Sequence, residues 1–410
     1  MSMFDRSSAS HDSSGHGVSR VGRLCVTGCL TLIGATLVLV ASGSATRATP
    51  SEPPLAVPRT DTPDTASTVP DPDAPDALDD WSFIPVVFYT PETSFGFGAA
   101  VIHSFNPTTS PTTQLSTMAA GVIVTTEGQV VVRLEPDFRF DDVFMQGVVR
   151  FQRYPTRFFP GGGHPGDPGE PYDELAFISN MDVRYRLGPI GSTLEHLSGG
   201  VRCDVRWNEV TEVTADGDFV TADPLGLDPY AALGCGPVLA FDTRDDVRLP
   251  SRGLYMQTRL AGFVGLYGES FTTLVGDLDL RAYVDLGKRH VLASQLVLRA
   301  TLGDLPYQLL PRLGGSSLHR GWFEGHLRDQ NTLLLQFEWR FPLVWKLGAT
   351  VFASAGQAFD RFSELSPDGL RFAVGAGLRF FLNQRQKVNL RLDLAWGSGF
   401  AAYVDVLEAF

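Results

Sequence analysis

Lysine is almost missing from this chain: among 410 residues only Lys288, Lys346 and Lys387 occur, so arginine carries nearly all the positive charge. The formal net charge of −13 excludes nucleic acid as a partner, because a polyanion would be repelled. Cysteine is scarce too, with Cys25 and Cys29 near the N-terminus and Cys203 and Cys235 in the body. No Cys/His cluster has metal-ligand spacing, so neither a metal site nor a cofactor is expected. A Gly-x-Ser-x-Gly elbow in a strand-to-helix context is absent as well. His164, His319 and His326 fall in loops and read as solvated residues, so no catalytic constellation, and no enzyme, is expected.

The first 80 residues offer no folded domain. Arg20 and Arg23 precede an apolar run from Leu24 to Ala41, and Gly43, Ser44 and Ala45 follow it. A basic start, an apolar middle and a small-residue exit describe a cleaved secretory signal peptide over 1–45. A single transmembrane anchor is the competing reading, but the small-residue exit suits cleavage better. Val26-Thr27-Gly28-Cys29 imitates a lipoprotein box, yet it stands before most of the apolar run and is a chance match. Residues 46–80 are rich in Pro, Asp, Thr and Ala with almost no large apolar side chains. Such a tract cannot offset its ordering entropy by burial and is expected to be a disordered linker.

From 81 to 410 the dominant period is two, which predicts an all-β body. In Val388 to Trp396 one face is Val, Leu, Leu, Leu, Trp, and the other is Asn389, Arg391, Asp393, Ala395. Leu333, Leu335, Phe337, Trp339 and Phe341 oppose Gln336, Glu338 and Arg340 in the same way. A soluble secreted sandwich would alternate similarly, with its charged face in water. Three features favour a transmembrane antiparallel barrel. The charged faces mix Arg with Asp and Glu, as a self-neutralising polar lumen requires. The apolar faces end in aromatics such as Trp339, Phe341, Trp396 and Phe410, where an interfacial girdle would lie. The segments mostly run to about ten residues, enough for a tilted strand to cross the hydrocarbon core.

About 16 strands are expected, an even number as single-chain bacterial barrels require. They begin near Trp81, Ser94, Gln114, Gln129, Val143, Leu175, Thr193, Tyr230, Arg252, Phe271, Arg289, Asn331, Leu347, Leu370, Lys387 and Phe400. With a periplasmic start, the even-numbered connections are mostly short and the long ones (154–174, 213–229 and 303–330) fall outside the cell. Arg133, Asp137, Arg281, Asp285, Arg391 and Asp393 would line the lumen.

Cys203 and Cys235 fall on neighbouring strands at outward positions. They read first as two small apolar residues facing lipid, and a cross-strand disulfide in the oxidising periplasm is the alternative. Arg320-Gly321-Trp322 sits in the longest late connection, just before the strand carrying Glu338. A lumenal arginine needs a carboxylate to offset its desolvation, and Glu338 is the candidate if the loop folds inward.

These residues resemble the BamA/TamA-like bacterial surface antigen superfamily of outer-membrane barrels, and the resemblance covers essentially 81–410. Gly314 to Trp322 looks like that family's sixth extracellular loop, whose Arg-Gly-aromatic core tucks into the barrel. Glu338 to Leu343 resembles the strand that follows it. Asp242, Arg244, Asp245, Pro250 and Gly253 resemble its periplasmic turn motif between the eighth and ninth strands. Ile84-Pro85 through Glu92 and Phe95 to Gly98 resemble its opening hairpin. Tyr403 to Phe410 looks like its closing strand, with the terminal aromatic read by the assembly machinery.

The resemblance implies an outer-membrane location, contact with lipid, and help from the barrel-assembly machinery during insertion. It also implies a part in protein insertion or translocation. Two departures shape that expectation. Family members commonly carry an aspartate where Ser354 stands, after Phe352-Ala353. The assembly and secretion members also carry periplasmic POTRA modules, where only the linker is expected here, so a separate periplasmic partner protein would be needed. The alternative is a passive channel or structural barrel for small polar solutes.

Overall fold

A computed structural model describes residues 79–410, apart from 107–115, 161–165, 190, 248, 384–387 and 407. The signal peptide and all but the last two residues of the linker expected at 1–80 lie outside the described residues, as does His164.

Strand segments that alternate in polarity pair in sequence order and close on themselves. The strands are β1 (Asp79–Thr90), β2 (Ser94–Phe105), β3 (Ser116–Thr125), β4 (Val130–Phe140), β5 (Val143–Phe158) and β6 (Glu170–Arg186). There follow β7 (Leu197–Glu212), β8 (Tyr230–Asp242), β9 (Gly253–Tyr267), β10 (Thr272–Gly287) and β11 (His290–Leu302). The circle is completed by β12 (Asn331–Pro342), β13 (Leu347–Phe359), β14 (Arg371–Asn383), β15 (Val388–Trp396) and β16 (Phe400–Val406). Each strand pairs antiparallel with its sequence neighbours and β1 meets β16, giving a closed barrel of 16 strands. A soluble sandwich is thereby overturned.

The burial pattern is inverted relative to a soluble protein. On β15, Leu392, Leu394 and Trp396 are 40%, 45% and 63% exposed, whereas Arg391 and Asp393 are 1% and 0% exposed. On β12, Leu335, Phe337 and Trp339 are exposed while Gln336, Glu338 and Arg340 are buried. Apolar side chains on the outer face belong in lipid, where an open sheet edge could not survive. Closure removes that edge by bringing β1 back against β16.

Two strand starts differ from expectation. β6 begins at Glu170, five residues before Leu175, because 170–174 pairs with β5 in spite of its polarity and its proline. Residues Thr193–His196 form a 3-10 turn, so β7 begins only at Leu197. The described parts of the β5–β6 connection (159–160 and 166–169) lie at one end with 213–229 and 303–330, and the short turns 141–142, 288–289 and 343–346 lie at the other.

Cys203 and Cys235 face each other in register on β7 and β8, with 4.2 Å between their Cα atoms, and are joined as a disulfide. The reading as two independent apolar residues is corrected: direct cross-strand opposition brings the thiols within bonding reach.

The closure is uneven. β1 pairs with β2 along its whole length, yet among the described residues it meets β16 through the single pair Tyr89–Val404. Beyond Val406 the chain leaves the wall: Phe410 is 7% exposed against Tyr283 and Ala293, and its carbonyl oxygen accepts a hydrogen bond from Arg340 Nη2 at 2.8 Å. Phe410 is therefore not part of a lipid-facing girdle, because the tail turns inward onto lumenal arginines.

Candidate functional site: an arginine latch inside the barrel

The connection 303–330 enters the lumen. At its neck Arg312–Leu313 pairs with Leu327–Arg328 in a short antiparallel ribbon, which holds the two legs together. Leu313, Trp322 and Leu327 are buried with Val297, Leu334 and Ala373. Burying Trp322 to 2% exposure contributes on the order of 2–3 kcal/mol to docking. Its indole Nε1 donates to the Phe372 carbonyl at 3.2 Å, so the polar edge is satisfied too.

Arg320 lies at the tip, 2% exposed. Its Nη2 donates to Glu338 Oε2 on β12 at 2.5 Å, and its Nη1 to Asp393 Oδ2 on β15 at 2.6 Å. The guanidinium also stacks 3.5 Å from the centre of the Phe352 ring on β13. A planar guanidinium suits this arrangement, since its fork reaches two carboxylates while its face meets an aromatic ring.

The carboxylates are themselves shared. Glu338 accepts from Arg340 Nε at 2.7 Å, and Asp393 takes Arg379 Nη1 at 2.5 Å and Arg391 Nη1 at 3.3 Å. Glu408 of the tail accepts from Arg379 Nε at 2.8 Å, and Asp405 on β16 takes Arg391 Nη2 at 2.7 Å. Arg320, Arg340, Arg379 and Arg391 thus balance Glu338, Asp393, Asp405 and Glu408, which is what makes burying so much charge tolerable.

Ser354 stands where the resemblance implies an aspartate, and the second carboxylate at Arg320 comes from elsewhere. Ser354 Oγ instead lies 2.9 Å from Nδ1 of His319, the neighbour of Arg320, while Asp393 supplies the second carboxylate from two strands away. Asp393 can reach across because Gly377 faces it on β14, where a Cβ would collide with its carboxylate. The spacing of Asp393 in sequence reveals none of this, and it read as a pore-lining residue.

Gly321 adopts φ of +105°, which L residues other than glycine rarely tolerate, and packs against Gly397 in the β15–β16 turn. Its amide donates to Tyr403 Oη at 3.0 Å, and its carbonyl accepts from the Ser398 amide at 3.0 Å. Tyr403 faces inward, 0% exposed, as a partner of the loop. The tip is consequently fastened to the strand at the weak seam.

His319 and His326 are not solvated: they are 0% and 2% exposed. Burial pushes the His319 imidazole down to about 3, so it is neutral. His326 stacks on Phe159 at 4.4 Å, beneath the long-loop end. There Phe219, on a short helix (Asp218–Ala222), packs with Phe158, Tyr172 and Tyr307 and covers the loop neck.

At the other end, Arg244 folds back on Asp242, with Nη2 to Oδ2 at 2.7 Å, and stacks 4.4 Å from the Tyr255 ring centre. Burial opposes ionisation of Asp245, but hydrogen bonds from Ser251 and the Arg252 amide outweigh it and hold the carboxyl below its usual range. Pro250 is buried, and Gly253 opens β9 with φ of +111°. These residues form a self-bonded turn, separate from the Arg320 cluster.

A closed lipid-facing barrel with its own loop latched in the lumen defines an outer-membrane β-barrel of the kind that carries an internal plug segment. The Omp85 superfamily domain matches residues 185–403, more than half of the chain, and the protein belongs to that superfamily. Among solved structures, BamA from Haemophilus ducreyi lacking POTRA domains 1–3 is similar at 12% identity and TM-score 0.54, covering 80% of this chain and 70% of that one. CdiB from Acinetobacter baumannii is similar at 10% identity and TM-score 0.51, covering 80% of this chain and 59% of that one. Comparison with the sequences of curated proteins finds no match.

Proposed function

We propose that this outer-membrane barrel takes part in inserting or translocating other proteins, as a non-enzymatic device whose wall opens at the β1–β16 seam. The observation that carries the reading is the pairing of a weak seam with a latch that touches it. Among the described residues one register pair joins β1 to β16, whereas β1 and β2 share twelve, so opening there sacrifices few backbone hydrogen bonds. Gly321, Tyr403 and Ser398 tie the loop to β16 and its turn, so movement of the latch is mechanically linked to the seam.

A passive channel for small polar solutes is the weaker reading, because the lumen that would conduct is crossed by the 303–330 connection and narrowed by the tail. What remains between them is a chamber of about 590 Å3, reached by Ser317 and Leu318 of the loop and by Ala409 of the tail. The long-loop end is assigned to the cell exterior and the short turns to the periplasm, where a separate partner protein delivers substrate. Phe410 serves as the signal to the barrel-assembly machinery before it folds inward.

Deleting the gene tests the role. The outer-membrane and surface protein profiles should lose particular members, and wild-type complementation should restore them. Unchanged profiles would sink it.

A further inference from the structure

Below the long-loop end, β5, β6, β7 and the inward loop enclose a polar cavity of about 50 Å3. Four guanidiniums line it, from Arg150, Arg206, Arg312 and Arg328, against three carboxylates, from Glu92, Glu174 and Glu324. Three of the guanidiniums are engaged. Arg312 pairs with Glu324 at 2.9 Å, and Arg328 Nη1 donates to the Tyr307 carbonyl at 2.9 Å. Arg206 Nη2 donates to Asn208 Oδ1 at 3.0 Å and stands 3.9 Å from Glu174.

Arg150 differs. Among the described residues no ion pair is found for it, and its buried Nε has no acceptor. Arg133 stands directly across from it on β4, and Arg206 and Arg312 add like charge, while Glu324 acts on it only at longer range. Arginine does not escape such a position by losing its proton, so the cost of desolvation stays.

The carboxylates nearby are already committed. Glu174 Oε1 accepts from Gln152 Nε2 at 3.0 Å, Glu324 holds Arg312, and Glu92 Oε1 accepts from the Glu324 amide at 2.8 Å. Burial and the Glu324 carboxylate push Glu92 up to about 7, which deepens the local excess of positive charge near neutral pH. Gln152 Oε1 and Gln308 Oε1 also lack donors, which water molecules around an ion would supply.

We propose that this cavity binds one small inorganic anion of chloride size against Arg150, with Arg206 and Arg312 as its other cationic neighbours. Because Arg312 and Glu324 belong to the inward loop, the anion fastens that loop to the β5–β7 wall. The proposal is independent of any role in protein translocation.

Bromide is the probe. Crystals of the full-length barrel grown in bromide should show an anomalous peak within hydrogen-bond reach of Arg150, absent in Arg150→Gln and retained in Arg150→Lys. In solution, amide exchange of residues 312–328 is compared in chloride and in gluconate at equal ionic strength and pH. With chloride at about ten times its Kd, loop opening should be about tenfold rarer, and Arg150→Gln should erase the difference. No bromide peak at Arg150, a peak that survives Arg150→Gln (an adventitious ion only), or equal exchange of the wild-type loop in both salts would each overturn the proposal. The salt comparison on wild-type protein stands even if Arg150→Gln fails to fold.

Discussion

Replacing Arg320 with alanine should loosen the inward loop while leaving the barrel closed. The substitution removes two charge-assisted bonds, at 2.5 and 2.6 Å, and the stack on Phe352. Breaking a buried ion pair from one side typically costs about 3–5 kcal/mol. Here the stranded carboxylates keep other partners, Arg340 for Glu338 and both Arg379 and Arg391 for Asp393, so the lower end, about 3 kcal/mol, applies. Loss of the stacked cation adds about 1 kcal/mol. A total near 4 kcal/mol makes loop opening about a thousandfold more frequent. Trp322 stays an apolar anchor, so the loop opens more often without being expelled. Hydrogen exchange of residues 312–328 in detergent reads the effect, and heat-modifiable electrophoresis checks that the barrel is intact. Arg320→Lys keeps the charge but loses the fork, and should fall between the two. Loop protection in Arg320→Ala within threefold of wild type would refute the latch.

Gly377→Val should displace the Asp393 carboxylate and Arg379, and cost docking about 1–3 kcal/mol, seen as faster loop exchange in a folded barrel. The contact between Glu92 and the loop should depend on pH, because its carboxyl is raised from 4.5 to about 7 by burial and by Glu324. The stability it contributes is full below the ordinary carboxylate pKa and is lost as pH rises through about 7. Exchange near Glu324, after allowing for the intrinsic pH dependence of amide exchange, should therefore quicken between about pH 4.5 and pH 7, by up to about 3 kcal/mol, and Glu92→Gln should flatten the profile. Reducing the Cys203–Cys235 disulfide, or making Cys203→Ser, should lower stability by about 3–4 kcal/mol, judged by denaturant titration in micelles.

The barrel was legible in the sequence because a period of two is a local property. Val143, Tyr230, Asn331, Leu347 and Phe400 open strands where alternation places them. Arg320 and Glu338 were legible through chemistry: a buried guanidinium demands a carboxylate, and one stood on the next strand. Asp393 was not, since it lies two strands from Phe352 and its contact depends on Gly377 on the strand between them, a relation fixed by register and invisible to spacing. The burial of His319 and His326 escaped for a related reason. Loop residues read as solvated by default, and only the inward path of 303–330 reverses that. Tyr403 and Phe410 read as parts of a closing strand, while the seam turns one toward the loop and the other into the lumen.

The central claim, that proteins pass through a wall that opens at β1–β16, is tested most directly by locking that seam. Tyr89→Cys combined with Val404→Cys places a cysteine on each side of the register pair that joins the two strands among the described residues. Cys203 and Cys235 are already bonded to each other. In a strain carrying only this variant, the oxidised barrel should reproduce the outer-membrane protein losses of the deletion, and a reductant should restore the profile. A cross-linked seam with a wild-type profile would contradict the account.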